Sequence, residues 1–139
     1  MNAAHEERAR DVVSGILPDI AISISSEICP EIREYERMST VCANAYVQPM
    51  MSRYLGRLES GLAELGLDCP LLLMMSSGGI TTVETASRQP IRLVESGPAG
   101  GAILAKNIAA QNNLDKVLSF DMGGTTAKIT LIDACEPLL

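Results

Sequence analysis

The chain has no Trp, a single Phe and three Tyr among 139 residues. Its hydrophobic content of 47% therefore rests on Ala, Leu, Ile, Val and Met, which suits helices packed on a buried sheet. Histidine is equally scarce, with only His5. Four cysteines, Cys29, Cys42, Cys69 and Cys135, lie too far apart for any CxxC pair. Those two shortages exclude a zinc finger and a His-paired nucleophile within this chain, and leave the cysteines as small thiols in a reducing cytosol. There is no run of Lys or Arg, so the electrostatic footprint of a nucleic-acid binder is missing. The longest apolar stretch, Leu71 to Met75, is far too short to span a bilayer, and the N-terminus lacks the apolar core of a signal peptide. The expectation is a cytoplasmic chain with neither nucleic acid nor membrane as partner. With a net charge of -6, an anionic ligand needs local donors, which directs attention to backbone amides and glycine loops.

The length suits one domain able to bury a core. Residues 3–16 carry a helical pattern stopped by Gly15 and Pro18, and Ala21 to Ser25 alternates like a short strand. From Glu31 to Gly66 apolar residues recur every three or four positions: Tyr35, Met38, Cys42, Tyr46, Met50, Tyr54, Leu58, Leu62 and Leu65. That periodicity predicts one long amphipathic helix, or two joined by a bend at Pro49, with this stripe facing the core. Beyond it, Pro70 to Met75 reads as a strand covered on both faces and runs into Ser76-Ser77-Gly78-Gly79. A helical turn from Thr82 to Arg88 precedes a second apolar segment, Ile91 to Val94, which feeds Glu95-Ser96-Gly97-Pro98-Ala99-Gly100-Gly101. A helix over Ala99 to Gln111 leads to a third strand, Lys116 to Phe120, then to Asp121-Met122-Gly123-Gly124-Thr125-Thr126 and a returning strand, Ala127 to Asp133. Strands alternating with helices imply an α/β architecture with a mostly parallel sheet, interrupted by one antiparallel hairpin at Gly123-Gly124.

Chemistry concentrates in the glycine stretches. In Asp121 to Thr125 a carboxylate ends a strand and two glycines follow, so successive backbone N–H groups can meet an anion at contact distance. Asp121 beside such a nest suits a Mg²⁺ ion or its water shell, and Thr125 can add a hydroxyl. The plainer alternative is an ordinary glycine turn with an exposed Asp. In Ser96 to Gly101, Pro98 suits a first helical turn capped by Ser96 or Gly97, and the free N–H groups there favour an anion. The alternative is a capped helix whose glycines merely permit close packing. Ser76-Ser77-Gly78-Gly79 is a weaker signal of the same kind.

Four motifs stand in order: REYERMSTVCANAYVQPMM (Arg33 to Met51), MMSSGGI (Met74 to Ile80), ESGPAGGA (Glu95 to Ala102) and FDMGGTTAKITLID (Phe120 to Asp133). In this order and approximate spacing they resemble the hydantoinase A/5-oxoprolinase family, with its acetone carboxylase relatives, across about residues 5 to 133. The resemblance implies a fragment of an actin-like (ribonuclease H-like) two-lobe ATPase fold that uses ATP and Mg²⁺. On that scheme residues 1–95 are the end of the first lobe, 96–112 the connecting helix and 113–139 the start of the second lobe. Asp121 would orient the metal and act in catalysis, Gly123, Gly124, Thr125 and Thr126 would cradle phosphate, and Ser96, Gly97, Gly100 and Gly101 would serve the nucleotide at the hinge. Lys128 stands where many such relatives carry an acidic residue, so no metal role is carried over to it.

The implied activity is ATP-driven opening of a cyclic amide, hydantoin or 5-oxoproline, through phosphorylation of the lactam oxygen. A carboxylase subunit of the acetone carboxylase type and a sugar or acyl kinase of the same superfamily are the alternatives. Family proteins of this kind imply a small cyclic amide as substrate and a hydantoinase B-type second subunit as partner. The resemblance implies a first phosphate hairpin upstream, and no second Asp-x-Gly-Gly-Thr occurs here. It also implies an adenosine-binding part downstream, so relative to the family the chain is expected to be truncated at both ends, with Met1 an introduced start or a mid-protein position. Alone it is expected to be inactive and to form homo-oligomers through faces that the rest of the polypeptide would cover.

Overall fold

A computed structural model describes residues 2–138. The chain divides into two compact units. The first comprises residues 1–71 and 82–91, the second residues 72–81 and 92–139.

The first unit is helical: α1 (Ala4–Ile16), α2 (Ser25–Ile28), α3 (Glu34–Glu64) and α4 (Val83–Arg88). Both α2 and α4 pack on α3. α3 runs unbroken through Pro49, although that residue offers no N–H to the turn before it. Its packed face is Arg37, Val41, Asn44, Gln48, Met51, Leu55, Leu58 and Leu62, spaced alternately by four and three. Only Leu58 and Leu62 of the expected apolar stripe lie on that face. Tyr35, Met38, Tyr46, Met50 and Tyr54 are exposed. From Tyr35 to Tyr54 the helix therefore packs with a different face from the apolar stripe. The reason is chemical: the position that α3 buries most deeply is polar.

Asn44 is fully buried. Its Nδ2 donates to Ser23 Oγ at 2.9 Å and to the Arg88 carbonyl at 3.0 Å, and its Oδ1 accepts from the Ile91 N–H at 3.2 Å. One side chain thus satisfies peptide groups on both sides of Pro90, where no regular ladder is available. The buried apolar residues of this unit are Ile24, Ile28, Leu55 and Ala86. Glu6 of α1 makes the second polar junction. Its carboxylate accepts from Ser25 Oγ at 2.6 Å and Ser26 N–H at 2.8 Å, and pairs with Arg37 at 2.8 Å. Arg37 also donates to Ser25 Oγ.

The second unit contains β1 (Leu72–Met74), β2 (Ile80–Thr82, ending at the boundary), α5 (Ser96–Gln111), β3 (Lys116–Met122), β4 (Ala127–Asp133) and β5 (Glu136–Leu138). β1 and β2 form one small sheet and β3-β4-β5 another. β3 pairs antiparallel with β4 from Lys116↔Asp133 to Met122↔Ala127, and β4 pairs antiparallel with β5. α5 lies on the three-stranded sheet and also touches β1. Ala102 and Ala109 are buried in α5 and Ile132 is buried in β4, so small side chains let the helix approach closely. The other face of the sheet presents Leu118, Phe120, Met122, Ile129, Leu131 and Leu138 to the exterior.

The antiparallel hairpin at Gly123-Gly124 forms as expected. The mostly parallel sheet does not: among the described residues the sheets are antiparallel. A parallel pair needs a crossover of a dozen or more residues, and β1 instead turns back within residues 75–79 to meet β2. The connection from β2 to β3 does contain α5, but the two strands belong to separate sheets. Ala21 to Ser25 is extended at Ile24 yet pairs with no strand among the described residues, and Ile91 to Val94 is taken up largely by a 3-10 turn, Pro90–Leu93.

Asn44→Ala strands the Arg88 carbonyl and the Ile91 N–H in the interior, and is expected to lower stability by on the order of 3 kcal/mol. Urea unfolding measures it; a loss below about 1 kcal/mol would mean water replaces the amide. The hydrogen bond from Ser25, followed by that from the Ser26 backbone, holds the Glu6 carboxyl below its ordinary pKa. A carboxyl depressed in the folded state contributes stability above its unfolded pKa and loses it as pH falls through the folded value. Wild type should therefore lose more stability than Glu6→Gln between neutral and acidic pH, read as converging urea midpoints.

Candidate functional site

α5 and β3 have matched lengths. A helix of 16 residues is about 24 Å long, and seven strand residues cover about 23 Å. The chain leaves α5 through Asn113, whose positive φ of 52° ends the helix, and returns along β3 in the opposite sense. The end of β3 therefore lies level with the start of α5, and the two glycine motifs share one end of the second unit. An ion pair records this juxtaposition: Lys128, directly across from Asp121 in the ladder, binds Glu95 at the head of α5. At the opposite end, the Ala134 N–H donates to the Asp115 carbonyl at 2.8 Å, and Lys106 of α5 pairs with Glu136 of β5 at 2.7 Å.

Residues 121–127 are all exposed. The turn closes by one bond, from the Gly123 N–H to the Thr126 carbonyl at 3.0 Å. Among the described residues no acceptor takes the N–H of Gly124 or Thr125. Neither Gly123 nor Gly124 has a φ in the left-handed range, and a Cβ at either would meet nothing within 4 Å. The fold of this chain thus requires neither glycine. The same holds for the helix start. A Cβ at Gly97 or Gly101 meets nothing within 4 Å, and at Gly100 only the Met74 side chain at 3.7 Å. Glycine within a helix costs about 1 kcal/mol relative to Ala, so this cluster is unfavourable for α5 itself. Ser96 is the first residue of α5 rather than its cap. Glu95 takes the cap position with a left-handed φ of 63°, where a glycine would be relaxed.

Gly78 contrasts with all of these. Its φ is 84°, and a Cβ would fall 2.8 Å from Ile103 Cδ1 of α5. Ser76 donates both its N–H, at 2.8 Å, and its hydroxyl, at 3.0 Å, to the Arg92 carbonyl. The Ser76–Gly79 turn is therefore an anchor for the segment leading to Glu95.

The candidate residues Asp121, Gly123, Gly124, Thr125 and Thr126 are contiguous at the hairpin, and Ser96, Gly97, Gly100 and Gly101 open the neighbouring helix. Sequence reasoning gave no role to Glu95, although its place just before a Gly-Pro helix start was visible, and it left Lys128 undecided. Among the described residues no three His, Cys, Asp or Glu side chains gather as a metal cage. A single carboxylate beside free amides fits Mg²⁺, which takes most of its ligands from phosphate and water. No helix among the described residues is long and apolar enough to cross a membrane.

The sequence model of the hydantoinase/oxoprolinase family matches residues 37–139, and the chain belongs to that family. It is 41% identical over 138 residues to an uncharacterized protein of Methanocaldococcus jannaschii, covering 99% of this chain and 20% of that one. It is 37% identical over 130 residues to the caprolactamase subunit alpha of Pseudomonas jessenii, covering 94% of this chain and 19% of the relative. Among solved structures it resembles nucleotide-free acetone carboxylase, an enzyme of ATP-dependent acetone carboxylation. The TM-score is 0.79 at 25% identity, over 97% of this chain and 19% of that one. The chain spans about a fifth of the length of these relatives.

Because the two kinds of glycine differ, their alanine variants separate. Gly124→Ala should change stability by less than about 0.5 kcal/mol. Gly78→Ala should lose about 1–3 kcal/mol through its φ and the Ile103 contact. Thermal unfolding of the two variants side by side checks this; equal losses would contradict the distinction.

Proposed function

We propose that this chain is the phosphate-binding segment of an ATP-dependent enzyme that opens cyclic amides such as hydantoin or 5-oxoproline. The observation that carries the proposal is the Gly123–Thr126 turn. Its glycines serve neither backbone conformation nor packing in this chain, and two of its N–H groups are open. Close approach of a polyanion explains both features together.

In this reading the Gly124 and Thr125 amides hold phosphate oxygens, with the Thr125 and Thr126 hydroxyls as further donors and Gly123 closing the turn. Asp121 is the catalytic carboxylate that holds Mg²⁺, directly or through water. Ser96, Gly97, Gly100 and Gly101 let the nucleotide approach the start of α5, whose N-terminal end favours negative charge. When bound, Mg-ATP supplies an activated phosphoryl group that converts the amide oxygen into a leaving group. The protein's share is to position that group and to stabilise developing charge with fixed dipoles.

An actin-like two-lobe arrangement is the frame for this site in the same reading. Residues 1–95 would end the first lobe, 96–112 would connect the lobes and 113–139 would open the second lobe. A cytoplasmic setting, a hydantoinase B-type partner subunit and contacts made by the exposed faces of α3 and of the β3–β4–β5 sheet, with the remaining polypeptide or a second copy, belong to the same reading.

The likeness to acetone carboxylase favours a second reading, ATP-dependent carboxylation, which uses the same phosphate site. ADP release by the complete enzyme with hydantoin, 5-oxoproline, caprolactam, or acetone plus bicarbonate separates the two. In that enzyme Asp121→Ala should lower ATP turnover by on the order of 10²–10³ with unchanged thermal stability. Turnover within a few fold of wild type would remove Asp121 from the mechanism.

A further inference from the structure

The proposed phosphate site stands in acidic surroundings. The chain carries a net charge of -6, Asp121 ends β3, and Glu95 heads α5. A polyanion arriving there gains from a protein cation beside the Mg²⁺ of the proposed site, and Lys128 is placed to be one. Lys128 faces Asp121 across the ladder at the root of the turn and is paired with Glu95. The other lysines of the second unit are engaged or distant. Lys106 is held by Glu136, and Lys116 starts β3, about 20 Å of strand away.

The Lys128–Glu95 pair is also exchangeable. The Lys128 side chain keeps 35% of its exposure and that of Glu95 62%, so water screens their attraction and the bond is weak. A phosphate oxygen carries more charge than one shared carboxylate oxygen, and a charge-assisted hydrogen bond to it is stronger than the exposed pair it replaces. Lysine suits the exchange, because its ammonium is a point charge on a flexible stem that swings between acceptors without a fixed fork geometry. Glu95 meanwhile holds a left-handed conformation that most side chains avoid. That conformation places its carboxylate at the head of α5, within reach of Lys128.

We propose that Lys128 is a polyphosphate-binding residue that exchanges Glu95 for a nucleotide phosphate oxygen. Glu95 is the positioning residue that keeps the ammonium at the hairpin root in the empty site. The proposal rests on the phosphate reading of the 123–126 turn and adds to it a cation and its resting partner.

Calorimetric titration of the complete enzyme with Mg-ADP and with a non-hydrolysable ATP analogue tests it. Lys128→Met should raise the dissociation constant about tenfold, equivalent to about 1.4 kcal/mol, and flatten its dependence on salt. Lys128→Arg should stay within threefold of wild type. Glu95→Gln should bind as tightly as wild type or up to a few fold more tightly, because it frees the lysine. Lys116→Met, which removes a charge from the far end of the same strand, should bind as wild type does. A change below twofold in Lys128→Met overturns the proposal. So does a loss in Glu95→Gln as large as in Lys128→Met, which would mark the pair as a structural clasp. Gly124→Val separates the levels: if it abolishes binding while Lys128→Met does not, the turn binds phosphate and only the exchange falls. If wild type binds neither nucleotide, both fall.

Discussion

Everything proposed for the second unit depends on one geometric match, the equal lengths of α5 and β3. Helix rise and strand rise differ by more than twofold, so 16 helical residues and seven extended ones cover the same distance. Asn113 at one end reverses the chain at no great cost, since Asn tolerates positive φ. The consequence appears at the other end, where Gly97 and Gly124 belong to neighbouring turns although many residues separate them in sequence. Alanines at the helix–sheet contact keep the two layers close, and the Lys106–Glu136 and Lys128–Glu95 pairs join α5 to the sheet.

Glycine has two distinct uses in this chain, and only coordinates distinguish them. Gly78 answers a demand of the fold: a left-handed φ and a wall of Ile103 leave no alternative. Gly97, Gly101, Gly123 and Gly124 answer no such demand, since open space surrounds each of their virtual Cβ atoms. Residues that weaken a helix and loosen a turn without a local reason point outside the chain, to something that comes closer than a methyl group allows. A nucleotide polyphosphate is that object in our reading, and the open amides of Gly124 and Thr125 give it donors.

Much of the second unit was legible in sequence because its signals are local. Two glycines between alternating segments specify a hairpin, and Pro98 near a run of Ala and Ile specifies a helix start. The first unit was legible in its elements but not in its packing. Periodicity located α3, yet the deepest position on it is Asn44, and hydrophobicity alone selects the wrong face when a buried amide ties down distant peptide groups. Long-range polar partners such as Arg88, Ile91 and Ser23 leave no periodic trace. Sheet direction was misjudged for a related reason: alternating strands and helices suggest parallel pairing, but the short 75–79 turn folds β1 back on β2, and the β3–β4 hairpin is extended by β5. Glu95 and Lys128 were similarly hidden, because their relation exists only once α5 lies along the hairpin.

In our reading a nucleotide's phosphates rest on the main-chain amides of the 123–126 turn. Hydrogen exchange of the complete enzyme, followed by mass spectrometry with and without saturating Mg-ADP, addresses those amides themselves. Slowed exchange in peptides covering 121–127, accompanied by slowing at 95–102, is the predicted result. Tight nucleotide binding that leaves the 121–127 amides exchanging at their free rate would contradict it.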